Sequence, residues 1–243
     1  MPYYYYGYGD AAAQSIYLVV LIPVLLLSFW AQTQVNGNFK RYSRVMNARR
    51  ITGAQAAEMV LRAHGVRNVR IAGCSGTLSD HYDPRNNTIY LSNGVYDAAT
   101  IAAVGVAAHE AGHAVQYAVG YFPIRVRAAI IPMTQFGSKF SFIALMLGLV
   151  MYSQQLLLAG IILFSLTTLF QLVTLPVEFN ASARALETLE GEYILETDEL
   201  SGAKKVLRAA ALTYVASLLM SLVQLLRYVL IFAGRSNRRG GNR

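Results

Sequence analysis

His109, Glu110 and His113 stand in the stretch "AAVGVAAHEAGHAVQYAV", which is otherwise alanine, glycine, valine and two uncharged polar residues. On a helix, residues four apart share a face, so His109 and His113 can each turn an imidazole nitrogen to one metal ion. Two histidines are half of a tetrahedral zinc site. Glu110 is rotated from His109 by roughly a third of a turn. That offset lets its carboxylate reach a water at the metal without being a ligand, and take the water's proton as it attacks a peptide carbonyl. A zinc ion in that position lowers the pKa of the water towards ~7 and polarises the carbonyl. The chemistry these residues point to is peptide hydrolysis. The competing reading is structural: two core histidines and a buried glutamate satisfied by neighbours. It requires burying a carboxylate among alanines, which is costly unless something such as a metal-bound water partners it.

The rest of a ligand set has few sources. The chain has one cysteine, Cys74, which excludes an internal disulfide and any site built from several thiolates of one chain. Between His113 and Glu178 there is no Asp, Glu, His or Cys, so a ligand C-terminal to the histidine pair is Glu178 or later. His81, in "SDHYDP", is the substitute; it also reads as a loop histidine bonded to its neighbours. His64 falls near the end of a predicted helix, where the dipole favours a cation, and needs no function. Asp80 and Asp83 offer two carboxylates, short of the roughly six to eight oxygens calcium takes. Tyr214 is a candidate for steadying an oxyanion, against a packing role in a helix. Glu187, Glu190 and Glu192 read as solvated.

The elements that must position these groups can be traced along the chain. "TGAQAAEMVLRAHG" opens with a capping box, Thr52 with Gln55, and stops at Gly65, which predicts a helix. "VRIAG" and "TIYLS" are strand-like and flank the turn-rich "DPRNN". A helix from an Asp97 N-cap to Val119, ended by Gly120, then carries the two histidines. The expected fold is a membrane α-helical protein with a small cytoplasmic α+β zincin-like domain built around this helix. "TIYLS" is expected beside the metal helix, pairing with extended substrate.

The membrane part follows from composition. Hydrophobic residues make up 55% of the 243, and the mean hydropathy is +0.37, too apolar for an ordinary soluble domain. "SIYLVVLIPVLLLSFWA" reads as a retained span within residues 1–35, without the basic start or small-residue cleavage site of a signal peptide. The tyrosine run before it suits either the headgroup level or a disordered tail. Residues 36–127 form the zinc-binding part. Residues 128–176 are long enough for two spans with a turn at "SQQ", with Lys139 in the first turns of the earlier one, snorkelling to the surface. Residues 177–208 carry Glu178, and "PVEFNASARAL" reads as a helix start. Residues 209–243 hold a fourth membrane helix and a basic tail.

Formal charge is +8, yet only 14% of residues are charged, so the cations cluster. Lys40, Arg41, Arg44, Arg49 and Arg50 follow the first span, which places the N-terminus outside and the next domain in the cytoplasm. Alternation then sends the C-terminus outside, whereas Arg235, Arg238, Arg239 and Arg243 argue for inside. These cations suit an anionic bilayer surface, and no nucleic-acid motif accompanies them.

"SDHYDPRNNTIYLSNGVYDAATIAAVGVAAHEAGHAVQ", "PVEFNASARALETL" and "KKVLRAAALTYVASLL" together resemble the YugP-type bacterial membrane-bound neutral zinc metallopeptidases, gluzincin relatives of the HtpX membrane proteases. The resemblance runs from the first span to the fourth. It implies one zinc ion held by His109, His113 and a glutamate from a second helix, Glu178 here, with Glu110 as general base. It also implies a multi-pass protein of the bacterial inner membrane acting on peptide or protein substrates, misfolded membrane proteins among them; nothing in it sets the oligomeric state. The HtpX pattern has an aspartate four residues after the ligand glutamate, where this chain has Ser182.

Two rival functions are a site-2-like intramembrane protease and a non-catalytic, metal-binding membrane scaffold. The first needs an aspartate ligand inside a later span, and none of the predicted spans has one.

Overall fold

Caps and turns set the frame of the computed structural model, which describes Tyr8 to Gly240, with side chains from Ser15 to Arg235. In chain order the elements are α1 (Tyr8–Tyr42), α2 (Gly53–Ala63), β1 (Arg70–Cys74), β2 (His81–Asp83), β3 (Thr88–Ser92), α3 (Asn93–Tyr96), α4 (Ile101–Ala118), α5 (Phe122–Val150), α6 (Gln154–Gly191) and α7 (Thr197–Gly240). The initial tyrosines and the last arginine lie outside the described residues, as do the side chains of Arg238 and Arg239.

The capping box at α2 is present in full, Thr52 accepting from Gln55 N and Gln55 Oε1 accepting from Thr52 N. Gly65, at φ 70°, ends that helix. The start of the metal helix differs from expectation. Residues 93–96 form the separate short helix α3, with Asp97 as its C-cap, and the N-cap of α4 is Thr100, whose hydroxyl accepts from Ala103 N. Thr100 stands directly before the apolar run, three residues after Asp97, and takes the cap because Asp97 already ends α3.

The sheet has order β1-β3-β2, with β1 parallel and β2 antiparallel to β3. "TIYLS", expected to meet substrate, is therefore the central strand, its backbone used on both sides. The two edges belong to β1 and to β2, the latter a three-residue strand too short to show a period in sequence.

One compact unit comprises Ala31–Val126 and Thr174–Thr213. Its core surrounds α4, which is buried on nearly every side against residues of α2, β3, α6 and the first turns of α7. An α-helix apolar all round belongs in such a core. Small residues let the backbones close in: a Cβ on Gly112 would lie 2.7 Å from the carbonyl oxygen of Ala181 in α6.

The other unit comprises the chain up to Trp30, Arg127–Val173 and the chain from Tyr214. In it α5 and α6 pack closely at Gly137, Gly148 and Gly160. Tyr152, at φ 53°, turns the chain between them. Arg235 donates to the carbonyls of Gly148 and Leu149 at 3.0 and 3.4 Å and lies over the ring of Tyr152. The last turns of α7 therefore sit at the end of this unit that carries the α5–α6 turn. Four helices, within α1, α5, α6 and α7, are long and apolar enough to cross a membrane; α4 is not among them. Large apolar side chains such as Phe29, Phe142, Ile162 and Leu172 face outward.

Two expectations fail here. Lys139 is not in the first turns of its helix but halfway along Arg127–Val150, exposed, because α5 begins back at Phe122. "PVEFNASARAL" does not start a helix: α6 runs on through Pro176 to Gly191. Proline locally reads as a first-turn residue, but long apolar helices tolerate it where neighbours satisfy the freed carbonyl.

Candidate metal centre

Helix α4 delivers His109 and His113 from successive turns, and α6 delivers Glu178 from the turn after its apolar run. Glu178 Oε2 lies 3.3 Å from His109 Nε2 and 3.5 Å from His113 Nε2, and all three donors fall within 4.8 Å of one another. A tetrahedral ion with bonds of about 2.1 Å separates its donors by about 3.4 Å. The spacing to Glu178 fits that geometry. Among the described residues this is the one group of three or more His, Cys, Asp or Glu donors so gathered.

The outer partners determine which nitrogens face inward. Gln116, fully buried, donates from Nε2 to the carbonyl oxygen of Val177 at 2.8 Å and to Asn180 Oδ1 at 3.0 Å. A carbonyl can only accept, so the amide orientation is set and Gln116 Oε1 faces His113. His113 Nδ1 therefore donates, at 3.0 Å, to Gln116 Oε1. Its Nε2 then points at Glu178, bringing a lone pair towards a carboxylate oxygen. His109 repeats the arrangement: its Nδ1 is 3.1 Å from Ser182 Oγ, and Nε2 is turned inward. Two imidazole lone pairs converging on a carboxylate need a positive charge between them, either a proton or a cation. The donor set, two neutral nitrogens and one carboxylate oxygen, is one that zinc accepts with a fourth position open.

Electrostatics agree. Burial alone would lower the pKa of His113, but its bond to Glu178 and the charges of Glu110 and Glu178 outweigh burial and raise it. Burial alone would raise that of Glu178, only 2% exposed, yet hydrogen bonds and charge from His109 and His113 in their protonated forms drive it well below the usual carboxylate range. The site is built for a carboxylate beside positive charge.

Glu110, half-buried, has no hydrogen bond or ion pair among the described residues, and acts on His113 only through its charge. The remaining candidates are elsewhere. His81 is exposed on β2, stacked on Tyr90, with Nδ1 donating to the Ser79 carbonyl at 2.8 Å. His64 caps α2 through Val60 O. Asp80 accepts from the backbone and hydroxyl of Ser92, and Asp83 accepts from Arg85, which lowers its pKa. Cys74 rests against Ser79. Tyr214 belongs to the other unit. Glu187, Glu190 and Glu192 are exposed. The residues sequence reasoning missed are Gln116 and Asn180. Gln116 is three residues after His113 and thus on its face of the helix, which is the signal that could have found it.

An H-E-x-x-H helix joined by a buried glutamate from a second helix, in a chain with four membrane-length helices, is the arrangement of a membrane metallopeptidase. The chain belongs to the family described as "Putative neutral zinc metallopeptidase", whose model matches residues 17–233. It is 44% identical over 217 residues to a Bacillus subtilis (strain 168) protein named "Putative membrane protease YugP", covering 89% of this chain and 96% of that relative. No solved structure matches.

Proposed function

We propose that the chain is a membrane-anchored zinc endopeptidase with a zincin-like centre facing the cytoplasm. In this reading His109, His113 and Glu178 hold one zinc ion and Glu110 is the general base. The observation that carries it is the convergence of the three donors across two helices, with Glu178 Oε2 at 3.3 and 3.5 Å from the two imidazole nitrogens. Zinc, when bound, supplies Lewis acidity, lowering the pKa of water to about 7 and polarising a carbonyl. Glu110 takes the proton of the attacking water and delivers it to the leaving amine nitrogen, as the carbonyl carbon gains an oxygen and loses the nitrogen. Its lack of a side-chain partner leaves it free for that exchange. Ser182 and Gln116 keep both imidazoles turned with Nε2 inward. The free edge of β2, which packs beside α4 through Tyr82 and Tyr117, offers unpaired backbone groups to an extended substrate.

The intramembrane reading is not favoured, since α4 is wrapped in protein and is not of membrane-spanning type. A scaffold would not need Glu110. The test is Glu110→Gln beside Glu178→Ala in the purified full chain. Glu110→Gln is expected to lose at least about a hundredfold in peptidase rate while keeping stoichiometric zinc. Glu178→Ala is expected to lose both. Zinc loss in Glu110→Gln, or normal zinc in Glu178→Ala, overturns this division of roles between base and ligand.

A further inference from the structure

A groove of about 460 Å³ runs between α6 and α7, lined by Phe179, Ser182 and Leu186 on one side and Lys204, Leu207 and Arg208 on the other, among others. Its walls are apolar except for the two cations and the serine. Neither Lys204 nor Arg208 has an ion pair among the described residues. The groove has a direction. Phe179, half-exposed, follows the apolar run of α6 by one turn, and Leu212 lies within that of α7. Lys204 stands eight residues before Leu212, about 12 Å along the helix. One end thus continues the apolar surfaces of membrane-length helices, and the positive charge lies towards the other.

We propose that this groove binds an acidic phospholipid, an acyl chain lying along Phe179, Leu207 and Leu212 and the phosphate meeting Arg208 and Lys204. The volume is that of an ordinary ligand pocket, and the charge distribution complements an anionic amphiphile with its head at one end. A zwitterionic lipid would bring a cation of its own to the same two side chains. A peptide substrate fits less well. Ser182, which lines the groove, meets His109 at Nδ1, so an occupant has the imidazole ring between itself and the inward-facing Nε2. The site is separate from the peptidase reading and stands or falls without it. The lipid would nonetheless rest on the turn of α6 that holds Ser182 against His109.

The test uses the full chain in bilayers of phosphatidylcholine containing a trace of spin-labelled phosphatidylglycerol or phosphatidylcholine, counting motionally restricted lipid by electron paramagnetic resonance. The wild type is expected to hold the acidic lipid more tightly. Lys204→Gln with Arg208→Gln should reduce that preference on the order of tenfold. Lys205→Gln, exposed but outside the groove, should leave it unchanged. Ala183→Trp, which fills the groove from an exposed position, should remove the preference for the acidic lipid while the circular dichroism stays normal. An equal loss in Lys205→Gln would reduce the preference to general attraction and overturn the proposal. So would an unchanged preference in the double variant, or an acidic apolar peptide that abolishes the preference in the wild type while the acidic lipid leaves binding of that peptide unaffected.

Discussion

At the scale of single residues, the proposed centre depends on small polar groups that hold its candidate ligands as much as on those ligands. Ser182 takes the place where a carboxylate stands in the HtpX pattern, and its hydroxyl is in reach of His109 Nδ1. A neutral partner orients the ring but adds less basicity than a charged one. Ser182→Ala is expected to weaken zinc binding by about ten- to a hundredfold, and Ser182→Asp to restore or exceed the wild-type affinity, read by competition with a fluorescent chelator. The pH dependence follows from His113. Its raised pKa means that, without metal, its protonated form stabilises the fold below the ordinary value of 6.5, a contribution lost as pH rises through the raised one. Metal binding needs the same imidazole neutral. Both effects act in one direction, so the fall in Tm on chelation should be larger by several degrees at pH ~8 than at pH ~6. A chelation effect that shrinks as pH rises would argue against His113 as a ligand.

At the scale of elements, the meeting of α4 and α6 is controlled by Gly112. Gly112→Ala puts a methyl 2.7 Å from the Ala181 carbonyl, a backbone atom that cannot move alone, so α6 must shift with Glu178 on it. Loss of about 1–3 kcal/mol of stability and weakened zinc binding are expected, by thermal unfolding and metal analysis. Gly37→Ala, with open space in α1, should be neutral or stabilising. How much of this the sequence discloses depends on how local each signal is. The Thr52 capping box and the Gly65 stop are written within four residues and appear as read. The histidine face of α4 follows from helical spacing, and Glu178 stands out because the stretch before it contains no other ligand type. The edge strand β2 is only three residues long. The passage of α6 through Pro176 depends on neighbours that proline's local preferences do not report. Gln116 and Asn180 are ordinary amides until α6 lies across α4.

At the scale of the whole molecule, the proposed orientation makes its own prediction. The cations after α1 favour the unit holding the metal centre in the cytoplasm, and the α5–α6 turn outside with Arg235. In a Cys74→Ser background, Gln155→Cys should react with an impermeant thiol reagent in intact cells and Asn86→Cys should not. The opposite labelling would invert the molecule. Arg235 fits this proposed arrangement, because it donates to the C-terminal carbonyls of α5 and so has a role beside its charge.

The order of the donors along the chain has a consequence for synthesis. His113 and Glu178 are sixty-five positions apart, 178 less 113, and the whole of α5 and the apolar part of α6 lie between them. On the proposed reading, a chain still on the ribosome, with α4 complete but the helical hairpin unfinished, carries two histidine ligands and the base but no third ligand. In that reading the centre can close only after α5 and the apolar part of α6 have been made, so the chain up to that point is not armed.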